Sequence, residues 1–144
     1  NVAGIAGFGA AAEAAGRELA AFAGISHLRE GLEREIKRAT PGAMIVGETA
    51  PRLANTSCIA LPGHKAETLV IALDLAGVAV SAGAACSSGK VGRSHVLDAM
   101  GVGDVVATSA IRVSLGWETD ERDIAAFLKA WANVAVRRTE RAVA

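Results

Sequence analysis

Cys86 and Arg112 carry reactive groups in surroundings that do not mark them as packing residues. Cys86 lies in SAGAACSSGKVGRSHVL, residues 81–97, with Gly83 behind it and Ser87, Ser88 and Gly89 ahead. A structural cysteine behaves as a small hydrophobe in an apolar wall, whereas glycine and serine build polar loops. The thiolate is the nucleophile, and a free thiol has a pKa of about 8.5, so a reactive cysteine needs help to ionise. Lys90, Arg93 and a helix start at Ser94 would each favour the anion. An incidental loop cysteine fits the same composition. Arg112 interrupts the apolar run AIRVSLG between Ile111 and Val113, with Ala110 and Ser114 as its alternation partners. A guanidinium fixed on a strand suits a bidentate grip on a carboxylate. An arginine on the wet face of an edge strand accounts for it equally well.

Other candidates fail on spacing. Gly89-Lys90 invites a phosphate-loop reading, but Gly83 is one residue too far back and Val91 replaces the hydroxyl residue that would hold magnesium. The glycines of GIAGFG near the start are in the wrong order for a dinucleotide fingerprint and follow no strand; helix packing explains them. His27, His64 and His95 are dispersed, so no metal site is expected, and His95 at a helix start reads as structural. Cys58, inside SCIAL, reads as a core residue.

The elements that must position Cys86 and Arg112 follow from periodicity and turn chemistry. Residues 2–23 are alanine-rich and helical by propensity despite Gly4, Gly7, Gly9 and Gly16. From Ser26, Leu28, Leu32 and Ile36 recur at helical spacing, with Arg29, Glu30, Glu33, Arg34, Glu35, Lys37 and Arg38 on the predicted wet faces. Pro41-Gly42 ends that helix. Strands are predicted at 43–47 and 57–61, a helix at 67–76 stopped by Gly77, and a third strand at 78–83. Ser94 caps a short helix closed by Gly101, and 110–116 is a fourth strand. Thr119, Asp120 and Glu121 open the last helix, whose buried stripe is Ile124, Phe127, Leu128 and Trp131 and whose end carries Arg137, Arg138 and Arg141. The pattern predicts an α/β sandwich with a small, mostly antiparallel sheet.

With 144 residues, 51% hydrophobic but only 3% aromatic, the chain can bury one core built mainly of aliphatic side chains. Fifteen acidic residues balance fifteen basic ones, which speaks against nucleic acid and anionic lipid as partners. Glu13, Arg17 and Glu18 interrupt the apolar start, so no membrane span is expected there, and without a basic leader it is a poor signal peptide. Two cysteines at unrelated spacing form neither a disulfide framework nor a zinc site, which points to the cytoplasm. The chain opens on Asn1, straight into helical sequence, and is expected to be a piece of something longer.

Taken together, SAGAACSSGKVGRSHVLDAMG, the following AIRVSLG and the acidic-capped last helix resemble the C-terminal part of a cysteine desulfurase. That family consists of pyridoxal 5'-phosphate enzymes of aminotransferase class V, fold type I. RLANTSCIAL resembles its R-x-x-N segment, AETLVIALDLAGVAVSAGAAC its helix–strand run to the cysteine, and the spacing from Cys86 to SHVLDAMG its long-loop branch. The resemblance implies that residues 1–23 end the large cofactor domain and that 24–144 form the C-terminal small domain. It makes Cys86 the catalytic residue that receives sulfur as a persulfide, on a loop (84–93) expected to be mobile, and Arg112 the ligand of the substrate α-carboxylate. The implied reaction converts L-cysteine to L-alanine, with sulfur passed to an acceptor or iron–sulfur scaffold protein; the full-length protein would be a homodimer. The family's cofactor lysine is expected upstream of Asn1, since Lys37, Lys65, Lys90 and Lys129 do not match its motif. Alone, the chain is therefore expected to be inactive. A non-desulfurase relative of the same fold, or a free-standing sulfur-acceptor or docking module, are the rival readings.

Overall fold

The computed structural model describes residues 1–83 and 94–136. In chain order the elements are α1 (Val2–Ala39), β1 (Met44–Ile45), β2 (Thr56–Ala60), α2 (Ala66–Leu75), β3 (Ser81–Ala82), α3 (His95–Ala99), α4 (Asp104–Ala107), β4 (Ala110–Ser114) and α5 (Glu121–Val136). The four strands form one sheet in the order β1-β2-β4-β3 with every pairing antiparallel. This is the predicted α/β architecture with a small antiparallel sheet.

Strand alternation gives the sheet two different faces. Ile59 of β2 and Ile111 and Val113 of β4 point into the main core. There they meet Ile25, Leu32 and Ile36 of α1, Leu69 and Leu73 of α2, and Phe127, Ala130 and Trp131 of α5. Burying each large aliphatic side chain contributes about 1.5–3 kcal/mol. The indole of Trp131, almost wholly buried, also donates to the Thr40 hydroxyl at 3.0 Å, fastening α5 to the end of α1. On the other face, Ala60 and Ala110 are small enough to let Leu97 of α3 and Ala107 of α4 lie directly on the sheet.

Helix ends follow local chemistry. The Ser94 hydroxyl accepts from the Leu97 amide at 3.4 Å, as its capping pattern predicts. At α5 the cap is Asp120, in keeping with the acidic cap expected there. Its carboxylate accepts from the amides of Arg122 and Asp123, while Asp123 accepts from the Asp120 amide. Thr119 instead accepts from the Gly116 amide and tightens the preceding turn. After α2, Gly77 takes φ +82°, with its amide bonded to Asp74 and that of Val78 to Leu73. This closure requires a left-handed residue, which is why glycine stands there.

Three expectations change. The two helical segments predicted before Thr40 are one helix of 38 residues, because Gly24 weakens a helix without terminating it. The first strand, predicted at 43–47, and the third, predicted at 78–83, each shrink to two ladder residues, with Val78 and Val80 packing on the core as extended chain. Arg29 and Glu33, predicted on the wet side of α1, are buried, since the segment between β1 and β2 folds over them. Among the described residues no helix is long and apolar enough to cross a membrane.

Candidate functional site

The outer face of the sheet is apolar at one end and polar at the other. Besides Ala60 and Ala110, this face carries Met44 on β1, Cys58 and Thr56 on β2, Arg112 and Ser114 on β4, and Ser81 on β3. Arg112 pairs in register with Cys58 on one side and Ser81 on the other. The plainer reading of Arg112 needed an edge strand, but β4 is an inner strand, flanked by β2 and β3. Its guanidinium is exposed, and among the described residues it makes no hydrogen bond or ion pair. A cation held on an inner strand with its donors uncommitted has the geometry of an anion clamp.

Two features hold that strand in place. Asn55 extends the β2–β4 ladder: its carbonyl accepts from the Leu115 amide at 2.8 Å and its side-chain amide donates to the Leu115 carbonyl at 3.1 Å. On the opposite edge, the Gly83 amide donates to the Ala110 carbonyl at 2.8 Å. A Cβ at Gly83 would lie 2.9 Å from that carbonyl oxygen and 3.2 Å from the Ala110 Cβ, so only glycine permits the approach.

Cys86 lies outside the described residues, together with the whole predicted loop 84–93. The chain leaves the described structure at Gly83, beside Arg112's own strand, and returns at Ser94. Cys58 is half-buried against the Ala60–Leu97 cluster rather than deep in the core. Burial pushes its thiol above the ordinary range, and the neighbouring Arg112 charge opposes this only in part. The thiol is therefore a poor nucleophile near neutral pH.

A second polar cluster braces the scaffold. Arg52 makes a bidentate pair with Glu33 at 2.7 and 2.9 Å, and Arg29 donates to the Leu53 carbonyl. Burial raises the Glu33 carboxyl, but Arg52, Ser57 and Arg29 more than reverse this and leave it below its ordinary value. Sequence reasoning missed this cluster and the Asn55 bonds. The local signals were the R-x-x-N resemblance, which singles out Arg52 and Asn55 without naming their partners, and charge at i and i+4 on α1, which also describes a solvated face.

The described residues do not make a pyridoxal phosphate site by themselves. Lys37, Lys65 and Lys129 are carried by α1, the start of α2 and α5, the elements that pack on the opposite face from Arg112. Among the described residues, what this face offers is an exposed guanidinium rather than an amine.

The model of the family "Aminotransferase class-V" matches residues 1–127. A cysteine desulfurase of Cereibacter sphaeroides is 45% identical over 121 residues, which cover 83% of this chain and 30% of that protein. One from Klebsiella pneumoniae is 37% identical, with 86% and 31% covered. The solved structure of a NifS-like protein from Rickettsia africae superposes with a TM-score of 0.80 at 38% identity, over 93% of this chain and 34% of that one. The chain thus spans about a third of the length of the relatives it matches. With its whole sheet, α1, α2 and the strand bearing Arg112 inside the matched region, the chain belongs to the class-V aminotransferase family.

Proposed function

We propose that this chain is the C-terminal portion of a cysteine desulfurase, contributing the substrate-carboxylate clamp and the sulfur-accepting thiol to a pyridoxal-phosphate enzyme. The observation that carries the reading is the junction of β3 and β4. Gly83 binds the strand of Arg112, and Cys86 follows three residues later. The similarity to cysteine desulfurases supports the same reading.

In this reading Arg112 binds the α-carboxylate of L-cysteine and fixes the direction of the thiol-bearing carbon. Pyridoxal phosphate, held by the remainder of the longer protein, supplies an electron sink when bound. The Cys86 thiolate attacks the substrate sulfur. A sulfur–sulfur bond forms, the substrate carbon–sulfur bond breaks, and its electron pair stays with carbon, which gains a proton. L-Alanine leaves and Cys86 carries the persulfide to a sulfur-acceptor or iron–sulfur scaffold protein. Such a thiol needs the reducing conditions of a cytoplasm. Residues 1–23 belong, in this reading, to the end of the cofactor domain of a homodimer, and 24–144 to the small domain.

The test uses the full-length enzyme. Cys86→Ser should abolish sulfur release while leaving L-cysteine binding within about twofold of wild type. Arg112→Ala should weaken L-cysteine binding by about tenfold or more, since a charge-assisted pair contributes about 1.5–3 kcal/mol. Near-normal sulfur release from Cys86→Ser would overturn the reading.

A further inference from the structure

We propose that Ser81 is a second ligand of the substrate carboxylate, its hydroxyl donating a hydrogen bond to the group that Arg112 grips. The inference rests on the carboxylate reading of Arg112 and adds a residue to it. Ser81 and Arg112 are register partners across β3 and β4, which places their side chains on the same face with Cβ atoms about 4.5–5.5 Å apart. Ser81 is exposed on that face. Among the described residues its hydroxyl has no hydrogen bond. The register is not free to slip, because the Gly83–Ala110 approach pins β3 two residues further on.

The chemistry of the ligand leaves room for this donor. An ionised carboxylate offers about four lone-pair sites and a bidentate guanidinium occupies two of them. A donor beside the guanidinium can take a third without competing for position. Cys58, the register partner on the other side, cannot match it: a thiol is a weak donor, and this one is half-buried against Leu97 and Ala60. The carboxylate is therefore held from the β3 side of Arg112, which gives the clamp a handedness as well as a charge.

The experiment compares L-alanine with ethylamine, the same molecule without its carboxylate, by calorimetric titration of the full-length cofactor-loaded enzyme. Ser81→Ala should weaken L-alanine binding about tenfold, as expected for a hydrogen bond to a charged group. Ethylamine binding should stay unchanged, and Ser81→Thr, which keeps the hydroxyl, should restore L-alanine binding. Equal weakening of both ligands in Ser81→Ala would mean a disturbed strand and would overturn the proposal. If Ser81→Ala binds L-alanine normally while Arg112→Ala does not, the Ser81 assignment fails and the Arg112 reading stands. If Arg112→Ala also binds L-alanine normally, the carboxylate reading of this face fails as a whole.

Discussion

Glu33 shows how a single side chain can carry a structural duty that its position in the sequence hides. Its carboxylate is 7% exposed and takes both donors of Arg52, which itself sits in the segment entering β2. Removing one member of such a pair leaves a charge buried without compensation. Glu33→Gln should therefore destabilise the chain by about 2–3 kcal/mol, read as a drop in the urea midpoint. The pH dependence has a definite sign. The folded carboxyl titrates below its ordinary value, so the unfolded chain binds the proton first as pH falls. The stabilisation is present above the ordinary glutamate range and is lost as pH drops through the folded pKa. Urea midpoints measured from pH 7 down to 3 should fall more steeply for wild type than for Glu33→Gln. Parallel curves would remove this role from Glu33.

At the scale of elements, the join between β3 and β4 decides whether the site exists. Gly83→Ala would drive a methyl carbon into the Ala110 carbonyl oxygen at 2.9 Å, and overpacking of this kind costs about 1–3 kcal/mol. The strand should peel from the sheet edge locally, with faster amide exchange at residue 83 and little change in α5. Unchanged exchange at residue 83 would show that the edge tolerates the extra carbon. Sequence periodicity had already located β2, α2, β4 and α5, because each has a clear two-residue or helical repeat of apolar side chains. It could not find α4, four residues long, or the true extent of β3, where two valines pack without joining the ladder. Nor could it bury Arg29 and Glu33, because their partners Arg52 and Leu53 come from a segment some twenty positions along the chain. Arg112 was legible as an odd residue in a strand, but only the strand order showed that its strand is an inner one. Its neighbours Ser81 and Cys58 required the register.

For the whole molecule, the first half of α1 is a stretch that the described residues leave uncovered. Val2, Ile5, Phe8 and Leu19 are each at least two-thirds exposed. Contact with the core begins at Phe22, which packs against Trp117 at 5.2 Å, and continues through Ile25, Leu32 and Ile36. Exposed apolar helices of this length gain by finding a surface. In the full-length reading that surface is the cofactor domain; in the chain alone, another copy is the nearest substitute. Deleting residues 1–20 should therefore leave the cooperative unfolding of the sheet and its helices in place, because Phe22 and the buried half of α1 are retained. The same deletion should lower self-association, seen as a shift toward monomer in sedimentation velocity across a tenfold range of concentration. If the shortened chain instead loses its cooperative transition, the first turns of α1 hold the fold together through contacts other than the apolar ones described. If it keeps both the transition and the association, the sticky surface lies elsewhere, with the exposed Ile71 and Leu75 of α2 as the alternative. Association that disappears with the deletion ties the uncovered half of α1 to the place where a larger protein would meet this domain.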